Sequence, residues 1–573
     1  MAEPRIVEIE MAALQAMVER AKGRLPPDDY ELLEGLVQTL LTLVELVRKG
    51  RTTIARLRRL IGIRSTEKTA KVLGKPATTG AGVEARAAGE AGRGVPGAEN
   101  GGAARKSPAA ECSDRPDEGT GSPLASPRKG HGRTPASAYS DACQFEVLHE
   151  SLRPGDRCPA CGRGTLFDLQ KPARFLRIVG QPPLVALCWN CQRLRCSGCG
   201  SVYTTRAPDP AQGDKHSETA AAMMALLRYG GGIPLYRLEG LQRHLATPVA
   251  ASTQWDVVHA RVAAVEPAHR ELCRLAAQGS RVHNDDTYMR ILAFMGQRRA
   301  ALLRSGALPD PERTGIFTTA IVAIAEGGQP IALFFTGRKH AGENLSALLD
   351  QRAAELGPPL LMCDALDRNL PKGHRVIESN CMSHGRRHFV DEVENFPEQC
   401  GHLLEQLGRV FQVDEICCRR RLSAAERLRM HQRESGPVME ELKLWMEAQL
   451  AEKRVEPNSG LGDAIRYMLR RWDKLTLFLR VAGAPLHNNI VERALKKAIR
   501  HRRNSLFYLT QRGATVGDIY MTLIHTTELH GGNAFRYLTA LMCHPEAVAH
   551  NPGAWLPWNY RDSLTLMQTA AAA

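Results

Sequence analysis

Between about Lys71 and Ser140 the chain is nearly devoid of large apolar side chains and consists of Gly, Ala, Pro, Ser and scattered charge. Such a stretch cannot bury enough surface to offset the entropy lost on ordering it, so residues 71–145 are expected to be a disordered linker. The 573 residues therefore cannot share one core, and a multidomain α/β plus α architecture is expected around that break.

Upstream, Asp28 follows Pro26-Pro27 and can cap a helix whose apolar positions run Leu33, Leu36, Leu40, Leu43, Val47, Ile54, Leu57 and Ile61. Steps of three and four make this a coiled-coil seam, although Gly50 stands where another apolar residue belongs. Residues 1–70 are thus an expected coiled-coil segment for self-association, with packing onto the chain itself as the alternative. Arg56, Arg58, Arg59 and Arg64 give its end a basic face suited to phosphates.

Lys and Arg number 76 against 61 Asp and Glu, a net charge of +15 that favours a polyanionic partner. No apolar run approaches the ~20 residues that span a bilayer, and the N-terminus lacks a signal peptide's apolar core, so no membrane association and a cytoplasmic location are expected. In that reducing compartment, six of the 15 cysteines falling in C-x2-C pairs point to metal rather than disulfides.

The pairs are Cys158/Cys161, Cys188/Cys191 and Cys196/Cys199. Two such knuckles can give four thiolates to a tetrahedral Zn2+, and the residue after the second Cys is Gly in the first and third pairs but Gln in the middle one. Cys158, Cys161, Cys196 and Cys199 are the expected zinc ligands of a zinc-ribbon-like module over 146–205. Cys188 and Cys191 are substitutes or a second site, and Arg174–Val179 reads as a short strand between knuckles.

Residues 206–278 read as helical. Two short helices, the second bearing Ser252 and Thr253, suit either a helix-turn-helix facing DNA or a plain packing unit. From 279 to 515 the order is strand, strand, Gly327-Gly328 turn, strand, a helix over about 341–356, and a buried strand ending at Asp364. That order predicts a ribonuclease-H-like mixed sheet, with Asp285 and Asp286 near the start of its first strand. Val376–Asn380 forms a further strand leading into the C-x2-H pair Cys381 and His384. A helical insertion over about 391–480 follows, with a capping box at Ser423 and Glu426. Residues 516–573 complete the chain as a helical tail.

After the insertion comes a helix beginning near Asn488 or Asn489, either of which can cap it, with Glu492 set among bases. Glu492 can pair with Lys496 at i,i+4 on a surface, or act with Asp285 and Asp364 to hold two Mg2+ or Mn2+ ions for phosphodiester chemistry. Converging acids raise one another's pKa unless cations join them, which favours the metal reading; Asp286 and Asp367 are nearby competitors. Arg493, Lys496, Lys497, Arg500, Arg502 and Arg503 would then contact DNA phosphates.

These residues resemble the insertion sequence 66 family of bacterial transposases. The likeness rests on His283-Asn-Asp-Asp-Thr287, Cys381-Met-Ser-His-Gly-Arg-Arg-His-Phe389, Leu486-His-Asn-Asn-Ile-Val-Glu-Arg-Ala-Leu495 and the terminal Leu556-Pro-Trp-Asn-Tyr560. The family usually carries Glu where Asp286 stands and Asp where His487 stands. The resemblance implies a ribonuclease-H-like domain of the DDE type, with Asp285, Asp364 and Glu492 as catalytic residues. It also implies cutting of element ends in double-stranded DNA and joining of 3′-hydroxyls to target DNA. A homo-oligomer working at the bacterial nucleoid, with companion element-encoded proteins, would fit. An inactive element-derived DNA-binding protein and a metal-dependent nuclease are the alternatives.

Overall fold

A computed structural model of the chain describes residues 147–169, 177–197, 199, 201–308 and 310–572, together with Arg20, Pro26, Tyr30, Leu33 and Val37. Nearly all of the expected coiled-coil seam and the whole of the 71–145 linker lie outside the described residues. The chain divides into two units, Gly80–Gln181 and the remainder, so the expected zinc module straddles their boundary. In the smaller unit, the first knuckle sits in a tight turn closed by an Arg157–Thr165 bridge. No strand forms at Arg177–Val179; the rest of that expected strand is outside the described residues.

In the larger unit, a two-stranded antiparallel ribbon, β1 (Arg193–Arg195) and β2 (Val202–Thr204), flanks the third knuckle. The main sheet contains β3 (Arg281–Tyr288), β4 (Phe317–Ile324), β5 (Pro330–Gly337), β6 (Leu360–Cys363) and β7 (Ile377–Asn380). Their spatial order is β5-β4-β3-β6-β7. The first three strands are antiparallel neighbours, and β6 and β7 add in parallel to β3. This mixed sheet within a largely helical chain is compatible with a ribonuclease-H-like domain. The β4–β5 turn uses Gly327 and Gly328 at φ 74° and 79°, a region open to glycine without strain. β4 is buried along most of its length, as its Thr-Thr-Ala-Ile-Val-Ala run requires of a strand covered on both faces.

The open edge of β5 is closed by side chains. Asp518, Thr522 and Thr526 recur every four residues on one face of the helix Gln511–Leu529. They accept from the peptide N–H groups of Thr336 (2.6 Å), Phe334 (3.2 Å) and Ala332 (3.2 Å). An edge that would template strand addition is thereby satisfied within the chain.

One core joins the sheet to the helices Glu218–Ala225, Val262–Ala277 and Gln511–Leu529, and it takes in Val491, Ala494 and Leu495. A second core belongs to the helical insertion, where Leu403, Leu407 and Val410 pack with Met439, Leu442 and Met446. Ser423 and Glu426 form the expected capping box there. Among the described residues, no helix is long and apolar enough to cross a membrane.

Candidate active site

Parallel pairing of β3 with β6 aligns Arg281 with Leu360, Val282 with Leu361 and His283 with Met362. The same register carried two residues further places Asp364 beside Asp285, at the end of the parallel pair. Asp285 and Asp286 are the fifth and sixth of eight strand residues, later than the expected start of the strand, and alternation sends them to opposite faces. The Asp286 side chain is 1% exposed and lies 3.1 Å from His340 Nδ1 and 3.4 Å from Arg368, so it has partners of its own. Asp367 is exposed in the turn Asp367–Asn369.

That turn supports Asp364. The amide of Asn369 donates to Asp364 Oδ1, and the Asn369 carbonyl accepts from Asn284 Nδ2 at 2.7 Å. The helix Ala341–Leu349 backs the same loop through Gly342. A Cβ at Gly342 would overlap the Leu370 carbonyl oxygen and lie 2.7 Å from that of Arg368. Gly342→Ala is therefore expected to lower stability by ~1–3 kcal/mol despite Ala's better helix propensity. Chemical denaturation measures it, and an unchanged midpoint would show that the loop yields freely.

Glu492 lies in the first turn of the helix Asn489–Ser505. Asn488 occupies the N-cap position, but its side chain makes no capping bond, contrary to expectation. It is fully buried and used as a strut: Oδ1 meets His283 Nδ1 at 3.0 Å and Nδ2 donates to the Asn284 carbonyl at 3.0 Å. Burial drives His283 down to about 3, so the ring is neutral and its Nδ1–H can donate to Asn488. The helix that carries Glu492 is thus tied to the strand that carries Asp285.

The carboxylates feel one another. Asp285 is pushed up to about 7, first by burial and then by the charge of Asp364, with Asp286 and Glu492 adding to it. Asp364 is also raised, chiefly by burial, against the pull of His384, the Asn369 hydrogen bond and Arg368. The ionic neighbour of Glu492 is His384 Nδ1 at 3.9 Å, not Lys496. Beside it, the thiol of Cys381 completes a group whose ligand atoms lie within 4.8 Å of one another.

Of the six basic residues expected at DNA, Arg493, Lys496, Arg500 and Arg503 are exposed. Lys497 instead pairs with Glu528 at 2.7 Å. Arg502 donates to Thr287 Oγ1 at 3.0 Å and to the Tyr288 carbonyl, fastening the helix to β3.

In each expected zinc knuckle one cysteine is pulled toward thiolate by its neighbours. Cys161 is lowered by the peptide N–H groups of Gly164 and Arg163 and by Cys158. Cys199 is drawn down to about 7 by the Ser201 hydroxyl and N–H and by Cys196. Loops that turn donors toward sulfur favour thiolate, the ligand form. Cys158 and Cys161 belong to the smaller unit, Cys196 and Cys199 to the larger.

The chain is similar to three proteins of Sinorhizobium fredii, each called an uncharacterized protein. It is 30% identical to y4jD over 188 residues, which are 32% of this chain and 35% of that protein. Identity to y4hP is 26% over 453 residues, 73% of this chain and 76% of that protein. Identity to y4qI is 26% over 360 residues, 60% of this chain and 63% of that one. The chain thus spans about a third of the first and less than two thirds of the last. No solved structure matches. The description Transposase IS66 family matches residues 215–516, more than half of the 573 residues and a span that holds all three acids, Asn488 and the helical insertion. The chain belongs to the IS66 family of transposases.

Proposed function

We propose that this protein is a DNA transposase that cuts the ends of its insertion element and joins the freed 3′-hydroxyls to target DNA. Asp285, Asp364 and Glu492 are the residues assigned to the chemistry. The observation that carries the reading is the approach of Asp285 to Asp364 across the β3–β6 pair, met by Glu492 from the first turn of a basic helix.

The three carboxylates fit divalent cations. They are hard oxygen donors, partly buried, and the charges of Asp364 and Glu492 both disfavour that of Asp285, an arrangement that cations relieve. Two Mg2+ or Mn2+ ions held there would activate a water or 3′-hydroxyl and steady the leaving oxygen. Asn369 orients Asp364, and Asn488 holds the Glu492 helix against β3. Arg493, Lys496 and Arg503 lie exposed to meet phosphates, whereas Arg500, Lys497 and Arg502 would first exchange their internal partners, the Gly230 carbonyl, Glu528 and Thr287.

The same reading assigns Zn2+ to Cys158, Cys161, Cys196 and Cys199, with Cys188 and Cys191 as substitutes. It assigns homo-oligomerisation to the N-terminal 1–70 segment, and it leaves room for companion element-encoded proteins. The test is incubation of the full chain with a labelled duplex carrying an element end, a target duplex and Mg2+. Joined product is expected. End cleavage without joining would make the protein a metal-dependent nuclease, and binding with neither step would make it an element-derived DNA-binding protein.

A further inference from the structure

Cys381 and His384 are not needed by the three-carboxylate chemistry, yet both face it. Cys381 immediately precedes the helix Met382–Glu392, and the C-x2-H spacing brings its sulfur and the imidazole of His384 to one side of the first turn. Glu492 arrives from the start of another helix, so two helix N-termini about a hundred residues apart in sequence meet through three different donor types. Their ligand atoms lie within 4.8 Å of one another. Metal–ligand bonds of about 2.0–2.3 Å imply tetrahedral edges of about 3.3–3.8 Å, so shifts of roughly 1 Å by side chains would close the group on an ion.

Two further observations point to a ligand. His384 Nδ1 is buried without a hydrogen-bond partner, 3.9 Å from Glu492 Oε1. Buried polar nitrogens are rarely left unpaired, and an ion would supply the missing partner. The peptide N–H of Asn488 is directed at Cys381 Sγ at 3.2 Å, the outer hydrogen bond that a metal-bound thiolate accepts. Burial pushes the free thiol up to about 11, with the N–H groups of Asn488, His384 and Ser383 acting against it.

We propose that Cys381, His384 and Glu492 form a binding site for Zn2+ that overlaps the acid cluster at Glu492. Thiolate, imidazole and carboxylate together make a borderline-soft donor set that selects Zn2+ over Mg2+, which prefers oxygen alone. With three protein ligands the site keeps a fourth position open. Binding there withdraws Glu492 from Asp285 and Asp364, so zinc is an inhibitor of Mg2+-supported strand transfer. That regulatory consequence rests on the proposed function, whereas the metal site itself does not.

Co2+ serves as the probe, titrated into the full chain in excess Mg2+, which occupies the carboxylate cluster, and followed by sulfur-to-cobalt absorption and bound-cobalt stoichiometry. The knuckle cysteines contribute equally to wild type, Cys381→Ser and His384→Gln, so the difference isolates this site. Both variants are expected to bind one Co2+ fewer, and Cys381→Ser to lose part of the sulfur absorption. His384 is partly exposed, so His384→Gln keeps the comparison valid if Cys381→Ser fails to fold. Equal stoichiometry in wild type and His384→Gln overturns the proposal. In a second arm, Zn2+ is added to protein whose knuckles are already loaded. About tenfold loss of strand transfer is expected; a Co2+ difference without that loss keeps the metal site and rejects Glu492 as a catalytic ligand.

Discussion

Asp364→Asn is expected to reduce strand transfer on the order of 10³-fold, about 4 kcal/mol of transition-state stabilisation, while leaving DNA binding within about twofold. Asn matches Asp in shape, and its amide oxygen can still accept from Asn369, so the Asp367–Asn369 turn has no reason to move. What disappears is a negative oxygen donor in a corner shared with Asp285. Asp364 sits outside the run of exposed bases on the Glu492 helix, so affinity for duplex should persist. Gel shift and a joining assay on the same preparation separate the two effects. Joining at the wild-type rate would remove Asp364, and with it the register argument, from the catalytic assignment.

Much of this corner was legible because it depends on short-range rules. A buried strand ending in an acid, Leu360 to Asp364, and a second acid-bearing strand suffice to suggest adjacent carboxylates once a parallel pairing is assumed. Strand alternation also separates Asp285 from Asp286, a choice that the residues alone left open. The supports were not legible. Asn488 occupies an N-cap position and favours capping by type, yet tertiary contact with His283 and Asn284 claims its side chain.

Likewise, nothing in a run of Lys and Arg marks Lys497 and Arg502 as internal fasteners, because their partners Glu528 and Thr287 lie far away in sequence. The ladder of Asp518, Thr522 and Thr526 has a visible four-residue period, but its purpose depends on an edge strand 182 to 194 residues earlier. The C-x2-H pair was visible too; its meaning required Glu492 to stand opposite. Local chemistry is readable from local sequence, whereas the assignment of a polar side chain to scaffold or site is decided by whichever distant group reaches it first.

The second large effect is on stability against pH. Asp285 titrates near 7 in the folded chain against an ordinary value of 3.8. Between those values the folded protein holds a proton that the unfolded chain has released, so ν_U − ν_N is negative and stability falls as pH rises from about 4 to 7. The loss is ~2–4 kcal/mol, a shift of several degrees in Tm. Asp518 is raised to about 7 by burial and adds a slope of the same sign, so the wild-type profile alone does not identify its source. Two comparisons do. Asp285→Asn cannot ionise, so in Mg2+-free buffer it should be more stable than wild type at pH 8 and equal to it near pH 4. Asp518 lies away from the cluster, bonded to Thr336 on β5, so Mg2+ should leave its share of the slope intact while removing that of Asp285. Thermal melts from pH 4 to 8, with Mg2+ added or omitted, make both comparisons. A parallel profile for Asp285→Asn, offset by a constant amount, would mean that neither burial nor the charge of Asp364 raises Asp285 in the folded protein and that this corner has no electrostatic need of a cation.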